Sequence, residues 1–475
     1  MKRFETQIQK LKHDVLLEIA KATINDNLVD EYYHIPKRIV PGPKPSMRCC
    51  IYKERAIVEE RMKLALGGDK DNKNIIEVIK IACDECPIGG YLVGDRCRGC
   101  LAQRCIHACH KDAIYFDTKL RRAFIDKEKC INCGMCARAC QYNAIQNFQR
   151  PCEQSCKVNA ISIGEDNAAN INEEKCIRCG ACVASCPFGA IMDKSYLTDV
   201  IKLIKNSEGG KKYPVIAVVA PSIGVQYKDI PVTKLVTALH KVGFTSVVEA
   251  ALGADIVSYH ESKELSEKGF LTSSCCPAFV SYIRKNFKHL EGKISSNLSP
   301  MASIAKYIKD RHKESHLIFV GPCIAKKEEV RLDEVKDIVD YSLTFEELDA
   351  LIDAYEINVG SLKESELDNA SYFGRIFARS GGLTEAVREG LKEHEIDFDY
   401  RPMTCSGIEN IRLALLKVNT PNCDFNFLEG MACSGGCING PCSLNHELRN
   451  KIDSDKYSSS ASTKKIIEAV KNLEK

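Results

Sequence analysis

The sequence contains no tryptophan, and that absence excludes nothing. Three other absences exclude more. No apolar run approaches the ~20 residues that a bilayer-crossing helix needs. No block of basic residues occurs and the net charge is only +3, so composition favours neither nucleic acid nor a strongly acidic or basic partner. The start, MKRFETQIQKLKHDVLLEIAKATINDN, is basic but lacks the apolar core of about 7–15 residues and the small-residue cleavage site of a secretory signal. It also has no twin-arginine pair. These readings predict a cytoplasmic protein with no membrane and no nucleic-acid partner, in a compartment that keeps thiols reduced.

What the chain does have is cysteine, 26 in 475 residues. Disulfide frameworks belong to short secreted chains. Many thiols in a long reduced chain point to metal. Eighteen lie before residue 190, sixteen of them between 83 and 186. The remaining eight lie after residue 270.

The chain divides accordingly. Residues 1–80 read as a helical N-terminal segment, with helical stretches at FETQIQKLKHDVLLEIAKA and YKERAIVEERMKLAL separated by the turn-rich IPKRIVPGPKPS. Residues 81–195 carry an internal repeat whose phrases are CHKDAI, CQYNAI, CKVNAI and CPFGAI. Residues 196–212, ending NSEGGKK, read as a linker. From 213 to 475, short β-rich runs (YPVIAVVAPS, TSVVEAAL, SHLIFVGPC) alternate with helical periodicity, which predicts an α/β domain with a largely parallel sheet. Ligands bind such sheets at the carboxyl ends of their strands. A polar run, DSDKYSSSAST, precedes a short final helix. The fold class expected is thus a multidomain α+β chain: helical segment, cysteine-rich repeat domains, C-terminal α/β domain.

Cys130, Cys133, Cys136 and Cys140 have the spacing C-x2-C-x2-C-x3-C, and so do Cys176, Cys179, Cys182 and Cys186. This is the bacterial ferredoxin signature for 4Fe–4S clusters, in which three thiolates of one loop are completed by a fourth from the companion motif. Zinc sites rarely use the triple spacing. Cys97, Cys100, Cys105 and Cys109 form a variant motif. The crossed rule groups Cys97, Cys100, Cys105 and Cys140 in one cube and Cys130, Cys133, Cys136 and Cys109 in another. CDEC (Cys83, Cys86) looks like a motif head and CEQSC (Cys152, Cys156) like a motif tail, as though one ferredoxin unit were inserted in another. Cys156 would then complete the cube of Cys176, Cys179 and Cys182, and Cys186 that of Cys83, Cys86 and Cys152. The alternative makes Cys83 and Cys86 a separate zinc or structural pair. His107 and His110 read as loop histidines, and Cys49 and Cys50 as plain thiols. Four cubes in series would carry single electrons.

TSSCCPAFV, GPCIAKKE and EGMACSGGCINGP resemble the three signature loops of the iron-only (FeFe) hydrogenases, and the likeness spans roughly residues 80–445. The resemblance implies an H-cluster, a 4Fe–4S cube joined through a cysteine sulfur to a two-iron unit carrying CO, cyanide and azadithiolate. It implies that Cys276, Cys323, Cys433 and Cys437 hold the cube, with Cys437 bridging, while Cys275 stays free to pass protons. By the same resemblance Lys326 and Ser222 would bond the cyanides, Pro221 and Met431 would line the pocket, and the pair Gly381 and Gly382 would let backbone approach the cofactor. A proton relay would run from Cys275 through Glu261, Ser295 and Glu264 to Lys268. From spacing alone, Glu261, Glu264 and Lys268 at i, i+3 and i+7 read as a solvated helix face. Several positions depart from better-known members: Ala278-Phe279 for Gly-Trp, Gly321 for methionine, Met301 for glutamine, and INGPCSL after the third loop. Cys442 there reads as an inert thiol, with a redox role as the alternative.

The implied activity is an oxidoreductase of anaerobic electron transport, the reversible conversion of two protons and two electrons to H2. A ferredoxin or similar carrier is the implied electron partner, and maturation proteins are the implied assemblers. The competing expectation is a non-catalytic relative, an iron–sulfur assembly or sensing protein without the two-iron unit. A pure polyferredoxin would leave residues 213–475 without a role.

Overall fold

The computed structural model describes residues 3–473 except Ile88 and Lys228. Its strands, in chain order, are β1 (Ile76–Val78), β2 (Gly90–Val93), β3 (Ile114–Asp117), β4 (Arg122–Ile125), β5 (Ile145–Phe148), β6 (Ile161–Ile163), β7 (Ala169–Ile171) and β8 (Ile191–Asp193) in the cysteine-rich region. They continue as β9 (Val215–Val219), β10 (Ser246–Glu249), β11 (Leu271–Thr272), β12 (His316–Gly321), β13 (Tyr341–Thr344), β14 (Pro402–Ser406) and β15 (Phe427–Met431).

The pairing of the first eight strands is nested. β1 pairs antiparallel with β8, enclosing everything between them. Inside, β2 pairs with β5 around the β3–β4 hairpin, and β6 pairs with β7. One unit (β2 to β5) therefore sits within another (β1, β6, β7, β8), as the split cysteine motifs suggest. The outer unit begins at β1, so a boundary at residue 80 cuts it from its partner strand.

The C-terminal region holds two parallel sheets, ordered β10-β9-β12-β13 and β11-β15-β14. β9 and β15 are buried along their whole length, as parallel strands covered on both faces should be. The loops bearing Ser222, Cys275, Cys323 and Cys433 follow β9, β11, β12 and β15 respectively, so the carboxyl ends of both sheets face one site.

Three sequence readings change. The expected linker contains a helix, Leu197–Asn206, whose Leu197, Val200, Ile201 and Ile204 recur at helical spacing and are buried against Val15, Leu16 and Ile19 of the helix Gln7–Ile24. The polar run near the end is also a helix, Asn450–Ser459, with Asn450, Ser454 and Ser458 turned inward. The N-terminal helices share the main core with β9 and β12, so they are part of the body of the protein.

A buried charge cluster ties these parts together. Lys327 Nζ lies 2.7 Å from Asp193 at the end of β8 and 2.8 Å from Glu347 on the helix Phe345–Ala354. Lys12 of the first helix reaches Asp193 at 2.9 Å, and Ser195 bonds Glu347. Burial disfavours the Asp193 carboxylate, but Lys12 and Lys327 outweigh it and hold the carboxyl well below its ordinary 3.8. Its contribution to stability is therefore present above that value and lost as pH falls further. Lys327→Met would leave the buried Glu347 without a cation and Asp193 with Lys12 alone, and should cost roughly 3–5 kcal/mol. Urea unfolding measures this, and a cost near zero would contradict the role assigned to the cluster.

Candidate active site

The repeated phrases have one geometry. In each, the third residue after the cysteine has a left-handed backbone: Asp112, Asn143, Asn159 and Gly189 have φ between 47 and 55°. Only Gly, Asn and Asp adopt this readily. The turn aims the next amide back at the sulfur. Ala113 N donates to Cys109 Sγ at 3.3 Å, Ala144 N to Cys140 at 3.4 Å, Ala160 N to Cys156 at 3.2 Å and Ala190 N to Cys186 at 3.2 Å. Such N–H groups favour anionic sulfur and tune a cluster's potential.

The thiols face one another in the crossed sets. Cys100 and Cys140 disfavour the charged form of Cys105, and Cys130 and Cys109 that of Cys136. Cys186 does so for Cys83, Cys86 and Cys152, and Cys156 for Cys179 and Cys182. Among the described residues no three His, Cys, Asp or Glu converge tightly enough to hold a single ion. A four-iron cube takes its thiolates at its corners, further apart than the ligands of one ion. Cys152 also acts on Cys182, and Cys276 on Cys179, so the sets lead from the outer unit toward the C-terminal domain.

There, five sulfurs from three loops meet. Cys276 caps the N-terminus of the helix Pro277–Asn286, and Cys323 that of Ile324–Glu329; both sulfurs sit at the positive ends of peptide dipoles. Cys437 opens a short 3-10 turn. Burial raises all four thiols Cys275, Cys323, Cys433 and Cys437, that of Cys323 to about 11, and each is raised further by its neighbours in the group. Beside them lies a cavity of about 90 Å³, lined by Cys275, Cys276, Cys323 and Cys437, and by Ala220, Pro221, Ser222, Met301, Phe319, Lys326, Phe377 and Met431. Ser222 is fully buried, and its Oγ has no hydrogen-bond partner. A buried hydroxyl left unpaired in an apolar pocket calls for an acceptor. Lys326 is anchored by Glu329 at 2.6 Å and Ser299 at 2.8 Å. The donor set fits an anionic metal group with small polar ligands.

The glycine pair works differently from expectation. Gly381 and Gly382 are not at the cavity wall. A Cβ on Gly382 would meet Ile376 O at 1.8 Å, so the pair lets the chain close against the turn that carries Phe377 and Ala378. Gly381 N donates to Glu429 at 2.6 Å, and Thr384 adds two more bonds to that carboxylate. Two of the departures are explained by packing. The Phe319 ring fills the space a side chain at Gly321 would take, and Phe279 fills that at Gly430.

Three of the relay residues, Ser295, Glu264 and Lys268, are bonded in line, and Glu261 stands buried behind them. Glu261 is fully buried with neither oxygen hydrogen-bonded, although Ser295 is near enough to influence it. Its charge acts on Cys275. Ser295 Oγ donates to Glu264 at 2.9 Å, and Lys268 Nζ reaches Glu264 at 2.6 Å with its own side chain half exposed. The solvated-face reading fails for Glu261 and Glu264, which are turned inward.

Sequence reasoning missed Glu429, Ser299 and Glu329. Glu429 had a signal, an acid inside the apolar strand FNFLEGM. Cys442 is fully buried, and burial raises its thiol well above the ordinary value, which agrees with the inert reading. Cys49, Cys50, His107 and His110 are exposed.

A family described as iron only hydrogenase large subunit, C-terminal domain, matches residues 213–441, and the 4Fe-4S binding domain matches 123–146 and 169–192. Iron hydrogenase 1 of Clostridium pasteurianum is 28% identical over 383 residues, 69% of this chain and 65% of that protein; the chain thus spans just under two thirds of that relative. The cytosolic Fe-S cluster assembly factor NAR1 of Encephalitozoon cuniculi is 26% identical over 239 residues, 46% of this chain and 62% of its own. A solved FeFe-hydrogenase structure described as revealing stepwise H-cluster assembly superposes with a TM-score of 0.50 at 18% identity, covering 59% of this chain and 93% of that one, a likeness of fold.

Burial pushes the Glu261 carboxyl from 4.5 to about 8, so it is protonated at neutral pH. Its contribution to stability is full below 4.5 and lost as pH rises through about 8. Glu261→Gln should therefore flatten the alkaline decline in stability, read as urea midpoints at about pH 6 and about pH 9. Parallel profiles for the two proteins would contradict the assigned burial.

Proposed function

We propose that this chain, which belongs to the iron-only (FeFe) hydrogenase-like family as a divergent member, catalyses the reversible conversion of two protons and two electrons to H2. When bound, the H-cluster supplies the hydrogen-binding iron and the two-electron chemistry. The remaining tasks belong to the chain. Cys276, Cys323, Cys433 and Cys437 hold the cube. Ser222 and Lys326 would donate hydrogen bonds to the H-cluster's anionic diatomic ligands, for which a fixed ammonium and an unpaired hydroxyl are suited. Apolar side chains keep water from the cavity.

The observation that carries the reading is a fifth thiol at the cavity, beyond the four that would hold the cube, with a line of titratable groups running from it toward the surface. Cys275 Sγ holds a proton at the cavity wall. Glu261, kept neutral by burial, can give and take one behind it. Ser295, Glu264 and Lys268 continue the line outward through bonds of 2.9 and 2.6 Å. A cluster-assembly or sensing role needs no such path. Four 4Fe–4S cubes would supply a path for single electrons from a ferredoxin-like carrier, and Cys156, Cys176, Cys179 and Cys182 would hold the one beside Cys276. Maturation proteins insert the two-iron unit, and the chain works in the cytoplasm; none of its helices is long and apolar enough to cross a membrane, among the described residues.

Infrared spectra of the matured protein should show CO and cyanide stretches, and H2 evolution should accompany them. Cys275→Ala should keep the bands while turnover falls by about 10²–10⁴-fold, the usual worth of a positioned acid–base group. Protein that carries its cubes but shows no such bands after maturation would favour the assembly or sensing role instead.

A further inference from the structure

Two of the largest fully buried side chains in the chain are arginines at the outer ferredoxin unit. Arg61, on the helix Ile51–Ala65, and Arg150, just before Cys152, are each 1% exposed. Arg61 donates to Gly189 O at 2.7 Å, Phe188 O at 2.9 Å and Met192 Sδ at 3.0 Å, and its Nε has no partner. Arg150 donates to Pro87 O at 3.1 Å, Asn167 O at 2.8 Å, Asn167 Oδ1 at 2.6 Å and Cys86 O at 3.4 Å. Every acceptor is neutral. Among the described residues, neither guanidinium meets a carboxylate within ion-pair distance. The third such arginine, Arg375, behaves as a buried cation ordinarily does and pairs with Glu249 at 2.7 Å.

An unpaired buried cation is strongly disfavoured, because carbonyl dipoles do not replace the hydration it loses. A counter-charge is therefore missing from both sites, and what faces them is thiol. Cys186 is the favourable charge partner of Arg61. Arg150 favours the charged forms of Cys83 and Cys86. Arg48, which lies over the Phe188 ring and pairs with Asp84 at 3.5 Å and Glu85 at 3.7 Å, acts on Cys86 as well. These thiols belong to one set, the one split between CDEC, CEQSC and the last ferredoxin motif.

We infer that Arg61 and Arg150 are the buried counter-ions of a cube held by Cys83, Cys86, Cys152 and Cys186, and that they make it the most easily reduced of the four outer cubes. Four thiolates give such a cube net negative charge, and reduction adds one more. Fixed positive charge in a medium of low dielectric stabilises the added electron far more than the same charge in water. Among the described residues, the thiols assigned to the other outer cubes face no such unpaired buried arginine. Lys127 near Cys130 is half-buried, Lys285 near Cys176 is exposed, and Arg178 is paired with Glu328 at 3.1 Å.

The position suits an electron well. Cys86 leads directly into the inserted unit at β2, and Cys152 acts on Cys182 of the cube nearest the active site. The split cube thus stands between the inserted pair and the proximal cube. A reaction that consumes two electrons, fed one at a time, gains a place where the first can wait. The N-terminal helical segment, which supplies Arg61, thereby acquires a function. The inference rests on the reading of these four thiols as a fourth cube but not on hydrogen turnover.

Stepwise reduction of the cluster-loaded protein, followed by electron paramagnetic resonance and paired with iron analysis, tests it. The first signal to appear should come from the split cube, so Cys152→Ser should lack it and hold one four-iron cube fewer. Arg61→Gln and Arg150→Gln should move that signal to lower potential while keeping full iron, and Arg61→Lys and Arg150→Lys should restore it toward the wild-type position. A first signal that survives Cys152→Ser, or glutamine variants with full iron and an unchanged titration, would overturn the inference. Unchanged iron in Cys152→Ser would instead overturn the cube assignment itself. Should the glutamine variants fail to fold, Cys152→Ser alone still decides the order of reduction.

Discussion

Buried anionic sulfur has to be met by positive charge or by N–H groups, and most of this architecture answers that constraint. Each ferredoxin phrase uses a left-handed residue to turn an alanine amide onto its cysteine. Cys276 and Cys323 sit at helix N-termini. Arg61 and Arg150 stand where, among the described residues, no carboxylate lies within ion-pair distance. Packed in the absence of such partners, twenty thiolates would repel one another and the low-dielectric interior alike.

The two halves of the molecule meet this constraint together. The outer ferredoxin unit ends at Asp193, which the buried lysines Lys12 and Lys327 clamp to the first helix and the C-terminal domain. Lys327 follows Lys326, which lines the cavity, and Cys323 lies one turn earlier on the same helix. One short segment therefore carries a thiol proposed to hold the cube, a cavity-lining ammonium and the clamp to the cysteine-rich region. Rigid placement of this kind matters for electron transfer and for proton transfer alike, since each depends on closely spaced donors and acceptors.

What the sequence made legible was local. The C-x2-C-x2-C-x3-C spacing is a loop property, and the alternation of strand and helix after residue 213 follows from short periodic runs. The nesting of one ferredoxin unit in another was readable from unmatched motif halves. The loops of the active site were readable only through resemblance, because their thiols are spread along the chain from Cys275 to Cys437 and nothing local ties them together. Arg61, Arg150 and Lys327 gave no signal, since an isolated basic residue in a helix looks solvated until the partner surface is known. The helix at 197–206 was legible in LTDVIKLI but was hidden by the glycines after it. The helix at 450–459 was not legible, because its inward face is made of Asn and Ser.

The account stands on five sulfurs meeting in one place, four to hold iron and one left free at the wall of a dry cavity. Crystallography of the matured protein with anomalous scattering at the iron edge examines this directly. It should locate a four-iron cube held by Cys276, Cys323, Cys433 and Cys437, and two further irons in the cavity with Cys275 nearby and bonded to neither. Iron bound to Cys275, or a cube with an empty cavity beside it after maturation, would contradict the account.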